Sequence, residues 1–362
     1  MPKMDMSSSE NKVKSGVSTN SKWDGQFATV IKWIGAVTAL MTVVAGLYHF
    51  EQFLSESRER QHRVTELLQI AENQQRSHRF DEAWVNLDAA SKLDKNDRKI
   101  RRAQEDLAMA WLEDAHLKEG ESFHQFVARL EPILDRGLLT AKSQRKADIQ
   151  AHLGWAAFLR FREAGGLGPE EAYRQALVID PNNTYAHAML GHWILWSNRD
   201  VAASRKHFDA AIASGRAQSY ARKLQLAALQ NAHTSQADLE MIAVANNMRK
   251  MNQEVDSSDK RRIWNVYFSF LEDAGDYTAK KLLRVIPPEE HLSTFRWLFD
   301  AEAFDEGRDL SRSYWLGLLE EAAGRRAEAL QTLNSLSVKL TGHSERLRDR
   351  TQAAIKRLSA SP

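Results

Sequence analysis

The chain contains no cysteine. That absence removes disulfides, thiolate nucleophiles, cysteine-ligated zinc, iron–sulfur clusters and thioether haem attachment together, while leaving the compartment open. Proline and glycine are scarce, at 7 and 17 of 362 residues, so long helical stretches go uninterrupted. Excess charge is missing too: the formal net charge is +2, which gives no reason to expect nucleic acid as a partner. No H-E-x-x-H, phosphate loop, G-x-S-x-G or EF-hand loop occurs, so no metal, cofactor or catalytic residue is assigned. Long apolar runs are absent as well, with one exception.

That exception is VIKWIGAVTALMTVVAGLYHF, residues 30–50. Between Trp33 and Tyr48 nothing is charged, and from Phe27 to Phe50 only Lys32 and His49 interrupt. A membrane-spanning helix needs about 20 mostly apolar residues. Trp33 and Tyr48 bracket the run, where amphipathic rings favour the interface, and Lys32 can snorkel. The expectation is a transmembrane helix over 27–50. Two alternatives stay open. Val43-Val44-Ala45 before Gly46 has the small residues of a signal cleavage site, and a buried core helix would have similar composition. Lys3, Lys12, Lys14, Lys22 and Lys32 precede or enter the run, and Arg58, Arg60 and Arg63 follow it. The positive-inside rule thus favours the N-terminus inside. In a bacterium the bulk of the chain would then be periplasmic, single-pass in the inner membrane, with the cytoplasmic orientation still open.

Residues 1–26 are polar and Ser-, Asn- and Lys-rich, which predicts a disordered tail. From 51 to 256 the chain reads as successive amphipathic helices with a recurring pattern. HRFDEAWVNLDAASKLDKND (78–97) and GPEEAYRQALVIDPNN (168–183) share acidic residues, alanine, a large apolar residue and a D-x-N-type turn. A Leu-Gly pair recurs at Leu153-Gly154, Leu190-Gly191 and Leu316-Gly317. Small residues such as Gly154, Gly191 and Ala83 would let two helices approach, with Trp84, Tyr173 and Phe208 filling the space between successive pairs. Pro181 ends one helix and aims the next. Residues 257–306, with Pro287-Pro288, keep a helical period but little of the pattern, as divergent repeats or an insertion would. A last unit and a polar capping helix occupy 307–362. The expected fold is all-α: a solenoid of helical hairpins on one N-terminal transmembrane helix.

QALVIDPNN (175–183), FDEAWVNLDAASKLD (80–94) and the Leu-Gly pairs resemble the tetratricopeptide repeat, a helix–turn–helix unit. The resemblance implies that the first helix of each unit faces a concave groove in which protein partners lie. It assigns Tyr185, His192 and Trp196 to that groove in the third unit, and Tyr314 and Leu318 in the last. The other aromatic residues read as core. GGLGPE (165–170) reads as the turn between two helices rather than a phosphate cradle. His187 and His192 lie about 140° apart on a helix, so they do not form a ligand pair. Asn182-Asn183-Thr184 matches a glycosylation sequon and equally an ordinary repeat end. Arg346, Arg348 and Arg350 suit an acidic partner or anionic headgroups as well as a solvated face.

Together these features imply a non-enzymatic, membrane-anchored scaffold or adaptor that binds protein partners. Short tail, single span and repeats are similar in arrangement to bacterial inner-membrane assembly factors. A sensory or regulatory subunit of a signalling, stress or defence system is the alternative expectation. An enzyme with a site in 257–306 is a third.

Overall fold

The computed structural model describes residues 23–272, 281–300, 305–340 and 344–360. Side chains are not described for 23–37, 39, 269–272 and 306. Residues 1–22 of the expected tail therefore lie outside the described residues, while 23–26, expected to be disordered with them, already belong to a helix; of the expected span 27–50 the backbone is described throughout and the side chains of 38 and 40–50. Every regular element among the described residues is an α-helix.

Two compact units divide the chain, one reaching to Ile100 and the other running from Arg101 to Pro362. In the first, α1 (Trp23–Arg76) is a single helix of 54 residues, about 80 Å long at 1.5 Å per residue. It packs antiparallel hairpin-fashion with α2 (Phe80–Leu93) through a tight turn in which His78 takes φ 57°. Val64, Ala90 and Ile100 form the small core here. Gln74 ties the hairpin by donating to Glu82 at 3.1 Å and accepting from Asn86 at 2.8 Å. N-terminal to Val64 the picture changes. No described side chain from Thr38 to Arg63 is buried, and Leu40, Val44, Leu47, Tyr48, Phe50 and Phe53 are each more than half exposed. Among the described residues no helix is long and apolar enough to cross a membrane.

The second unit takes in most of α3 (Arg98–Glu113), then α4 (Phe123–Thr140), α5 (Ser143–Ala164), α6 (Glu170–Ile179), α7 (Thr184–Asn198), α8 (Val201–Ala213), α9 (Gln218–Ala232), α10 (Ser235–Lys250) and α11 (Ser257–Glu272). It continues with α12 (Pro288–Phe299), α13 (Glu306–Ala322), α14 (Arg326–Lys339) and α15 (Glu345–Ala360). Helix starts follow local chemistry. Ser122 and Gln125 make a reciprocal capping box for α4, and Asn183, Asp200, Thr234 and Asp305 cap α7, α8, α10 and α13. Each such cap satisfies backbone N–H groups that the helix leaves unpaired.

Successive helices pack as hairpins, and the glycines of the three Leu-Gly pairs sit at the contact. A Cβ on Gly154 of α5 would lie 2.6 Å from the Tyr173 ring of α6. One on Gly191 of α7 would lie 3.1 Å from Phe208 of α8, and one on Gly317 of α13 would lie 2.6 Å from Leu333 of α14. The same device thus closes three hairpins: no side chain on the first helix, a large buried one on the second. Tyr173, Phe208 and Leu333 are almost wholly removed from water. Gly165 and Gly166, at φ 73° and 106°, make the turn after α5.

Residues 257–300 are not set apart. Ile263, Trp264 and Tyr267 of α11 and Phe295 and Phe299 of α12 belong to one apolar core that runs from Ala188 to Leu358. Trp315 of α13 joins that core by donating from Nε1 to the Tyr267 carbonyl at 2.9 Å.

Candidate binding surface

The residues expected to line a groove fall into three environments. Trp196 is 43% exposed, the most open of the set. Tyr185 is half-buried, and His192, Tyr314 and Leu318 are buried. Tyr314 and Leu318 belong to the apolar core and offer a partner little surface. His187, by contrast, is half-buried and places Nδ1 3.0 Å from Nδ1 of His207 on the paired helix, while its Nε2 meets the Pro181 carbonyl at 2.9 Å.

Around Trp196 a set of rings has assembled from two neighbouring helices. Trp193 and Trp196, three apart on α7, stack with centroids 5.4 Å apart, as the i, i+3 spacing of a helix allows. Phe158 and Phe161 of α5 meet Trp196 edge-on, each at 5.7 Å. Trp193 reaches over the turn at Gly168, where an added Cβ would sit 3.1 Å from its ring. Its Nε1 donates to Glu170 at 3.4 Å. Arg174, with the weaker Trp193 contact, holds the Glu170 carboxyl below the usual carboxylate range. At the other side Arg162 lies 5.2 Å above the Phe123 ring and 5.9 Å from that of Phe158. The result is an aromatic ledge, apolar at Trp196 and rimmed by Arg162 and Glu170.

His192 forms the floor of the ledge rather than its face. Its ring is edge-on to Trp155 and Phe158, at 5.1 and 4.9 Å, and its Nδ1 has no hydrogen-bond partner. Burial, and secondarily the Arg162 charge, pushes its pKa down to about 3, so the ring is neutral at physiological pH. A neutral imidazole among rings behaves as packing material.

Tyr185 belongs to a second, polar cluster. Its ring lies 4.6 Å from that of His152 and 5.4 Å from that of Tyr220. His152 is fully buried, with Nε2 2.9 Å from Glu113 and Nδ1 2.6 Å from the Asp148 carbonyl. Asp148 in turn accepts from Asn183 at 2.7 Å and from Arg216 at 3.0 Å. Burial, then the charges of Glu113 and Asp148, raises the Tyr185 hydroxyl above its ordinary value, so it stays protonated. Hydrogen bonds among Glu113, His152, Asp148, Asn183 and Arg216 join α3, α5, α7 and the approach to α9, while the buried Tyr220 hydroxyl has no partner.

No group of three or more His, Asp or Glu among the described residues is placed to hold a metal ion. The sequence pattern did not single out Phe158, Phe161, Glu113, His152 or Arg216. Their partners stand tens of positions away, so only the repeat register could have pointed to them. Set against models of known protein families and against curated proteins, the sequence matches none of them.

Proposed function

We propose that this protein is a membrane-anchored, tetratricopeptide-like scaffold whose helical hairpins bind a protein partner, with the aromatic ledge around Trp196 as the contact. The observation that carries the contact is the ledge itself: four rings from α5 and α7 packed together, Phe158 buried, Phe161 and Trp193 half-buried and Trp196 open to solvent. Exposed tryptophan flanked by charge is the composition of binding hot spots, where a large rigid ring contributes area at small entropic cost. Support for the repeat reading comes from the three glycine-closed hairpins and from their QALVIDPNN-type sequence.

The anchor is assigned to residues 27–50. Supporting it are the uncharged run from Trp33 to Tyr48 and the apolar side chains of α1 that no part of the fold covers beyond Leu40. An apolar helical surface of this kind is left to a membrane or a partner. Anchoring confines the binding surface to the bilayer and so raises its effective concentration near membrane partners. The lysine excess before the run favours a periplasmic C-terminal region in a bacterial inner membrane. No cofactor enters this reading, and the activity is binding rather than catalysis.

Cells carrying a photo-crosslinking residue beside Trp196 test the contact. A membrane-dependent crosslinked species should form and disappear on Trp196→Asp, with far-UV circular dichroism unchanged. Crosslinking that survives Trp196→Asp would refute the ledge as the contact. For the anchor, replacing Leu40, Val44 and Leu47 by Asp should move the protein from the alkali-resistant membrane fraction to the supernatant. Retention in the membrane would overturn it, and an alkaline phosphatase fusion at the C-terminus reads the orientation.

A further inference from the structure

Between α9, α10, α11 and α12 lies a cavity of about 870 Å3, remote in sequence from the aromatic ledge. Its walls include Arg222, Ser219, Gln253, Val255 and Trp297. Arg222 is the unusual member. It is only 3% exposed, yet its hydrogen-bond partners are neutral. Nε donates to the Gln253 side-chain oxygen at 3.1 Å and Nη1 to that of Gln225 at 2.8 Å, while Nη2 points at the Met251 sulfur at 3.9 Å.

Several other arginines of this unit keep a carboxylate partner. Arg145 pairs with Glu105 at 2.8 Å, Arg262 with Asp259 at 2.6 Å and Arg296 with Glu320 at 2.7 Å. The acids beside Arg222 are already committed: Asp256 to Lys223 at 3.0 Å, and Asp259 to Arg262. Glu254, the third acid of the wall, is turned to solvent. A buried cation that bonds to no carboxylate is costly, and burial indeed pushes Arg222 below its ordinary range against the pull of the Asp209 and Glu240 charges. An anion arriving in the cavity would remove that cost.

The backbone points the same way. α9 begins at the cavity wall with Gln218 and Ser219, after Ala217 in the left-handed region at φ 40°, and no side chain caps it. The Gln218 side chain is spent on the Ile212 carbonyl at 3.0 Å. The first-turn N–H groups and the positive end of the helix dipole therefore stand beside the buried guanidinium. Trp297, Val255 and Met248 make the apolar part of the wall.

We infer that this cavity binds a small ligand bearing an oxyanion, a carboxylate or a phosphate on an apolar body, with the oxyanion against Arg222 and the body against Trp297. A guanidinium has five N–H donors, and the three contacts above leave hydrogens on both Nη atoms for an oxyanion. The inference stands whether or not the hairpins bind a protein, because it rests on a different set of helices.

Calorimetric titration of the full-length protein in detergent micelles tests it. The probes are inorganic phosphate and phenylacetate at constant ionic strength, with chloride as control. At least one probe should bind saturably and chloride should not; which one binds tells phosphate from carboxylate. Arg222→Gln should weaken that binding by about tenfold or more, the loss expected for a charge-assisted contact. Arg222→Lys should restore part of it. Trp297→Ala should weaken phenylacetate more than phosphate. Absence of saturable binding of both probes to the unmodified protein overturns the inference, even if the Arg222 variants fail to fold. So does equal binding by a folded Arg222→Gln variant.

Discussion

The stretch of α1 from Thr38 to Arg63 and helix α7 begin from similar material and end differently. Both are rich in apolar residues and rings, and each contains one glycine. Around Gly46 there is open space, with nothing within 4 Å of where a Cβ would sit. Around Gly191 there is no room: the Phe208 ring and the Ser204 carbonyl stand at 3.1 and 3.2 Å. The Ser204 hydroxyl also donates to the Gly191 carbonyl at 2.8 Å, so the two backbones are drawn together. Leu190, Leu195 and His192 are consequently buried, whereas Leu40, Leu47 and Phe50 are not. Apolar composition alone did not decide burial. What decided it was a neighbouring helix that could approach a residue without a side chain.

The contrast can be broken most strongly at Phe208. Its ring is 1% exposed and fills the space that Gly191 leaves. Phe208→Ala should lower unfolding stability by about 3–5 kcal/mol, the cost of lost burial plus a cavity, measured by urea denaturation followed by circular dichroism. Attacking the same contact from the other side gives the next effect. Gly191→Leu should cost about 1–3 kcal/mol through overpacking, while Gly46→Leu should cost nothing in the same assay. Equal losses at both glycines would erase the distinction between the two helices.

Acid offers a third way. His192 is neutral in the folded protein, with its pKa depressed to about 3, whereas the unfolded chain protonates it near the ordinary 6.5. Its contribution is therefore intact above pH 6.5 and is lost as pH falls from there towards about 3, at up to about 1.4 kcal/mol per pH unit. His192→Phe should flatten the decline in stability between pH 6.5 and 5 relative to the unmodified protein. An unchanged slope would mean the ring is not held neutral. The smallest effect concerns backbone alone. Ala217 adopts φ 40°, a region costing a non-glycine residue roughly 1–2 kcal/mol, partly offset in glycine by chain entropy. Ala217→Gly should thus raise stability by about 0.5 kcal/mol, read as a small increase in Tm.

How far the sequence could be read follows from the range of each interaction. The Leu-Gly pairs and the turn at Gly165-Gly166 were legible, because each is a local rule involving a few consecutive residues. Gly154 facing Tyr173 was not: the pattern set Tyr173 between successive pairs, whereas its ring packs against Gly154 within one hairpin. The environments within one helix were less so. His192 and Trp196, four apart on α7, were both assigned to an open groove, yet Trp155 and Phe158 of α5 cover the first and leave the second exposed. Tyr314 and Leu318 lie in the apolar core for a related reason: they share it with α11 and α12, whose pattern did not announce their place in the stack. Arg222 carried no sequence signal at all. Only the folded chain brings Gln225 and Gln253 to it and commits Asp256 and Asp259 to other cations.

The sequence by itself determined the helical character of the chain. It also determined the turns that separate helices and the small residues that let two helices approach, because these depend on propensity and short-range spacing. Tertiary structure decided which faces stay in water, where buried charge remains unpaired, and which rings meet at the ledge. Those outcomes depend on helices brought together from positions tens of residues apart, where burial rather than composition sets the free energy of each side chain.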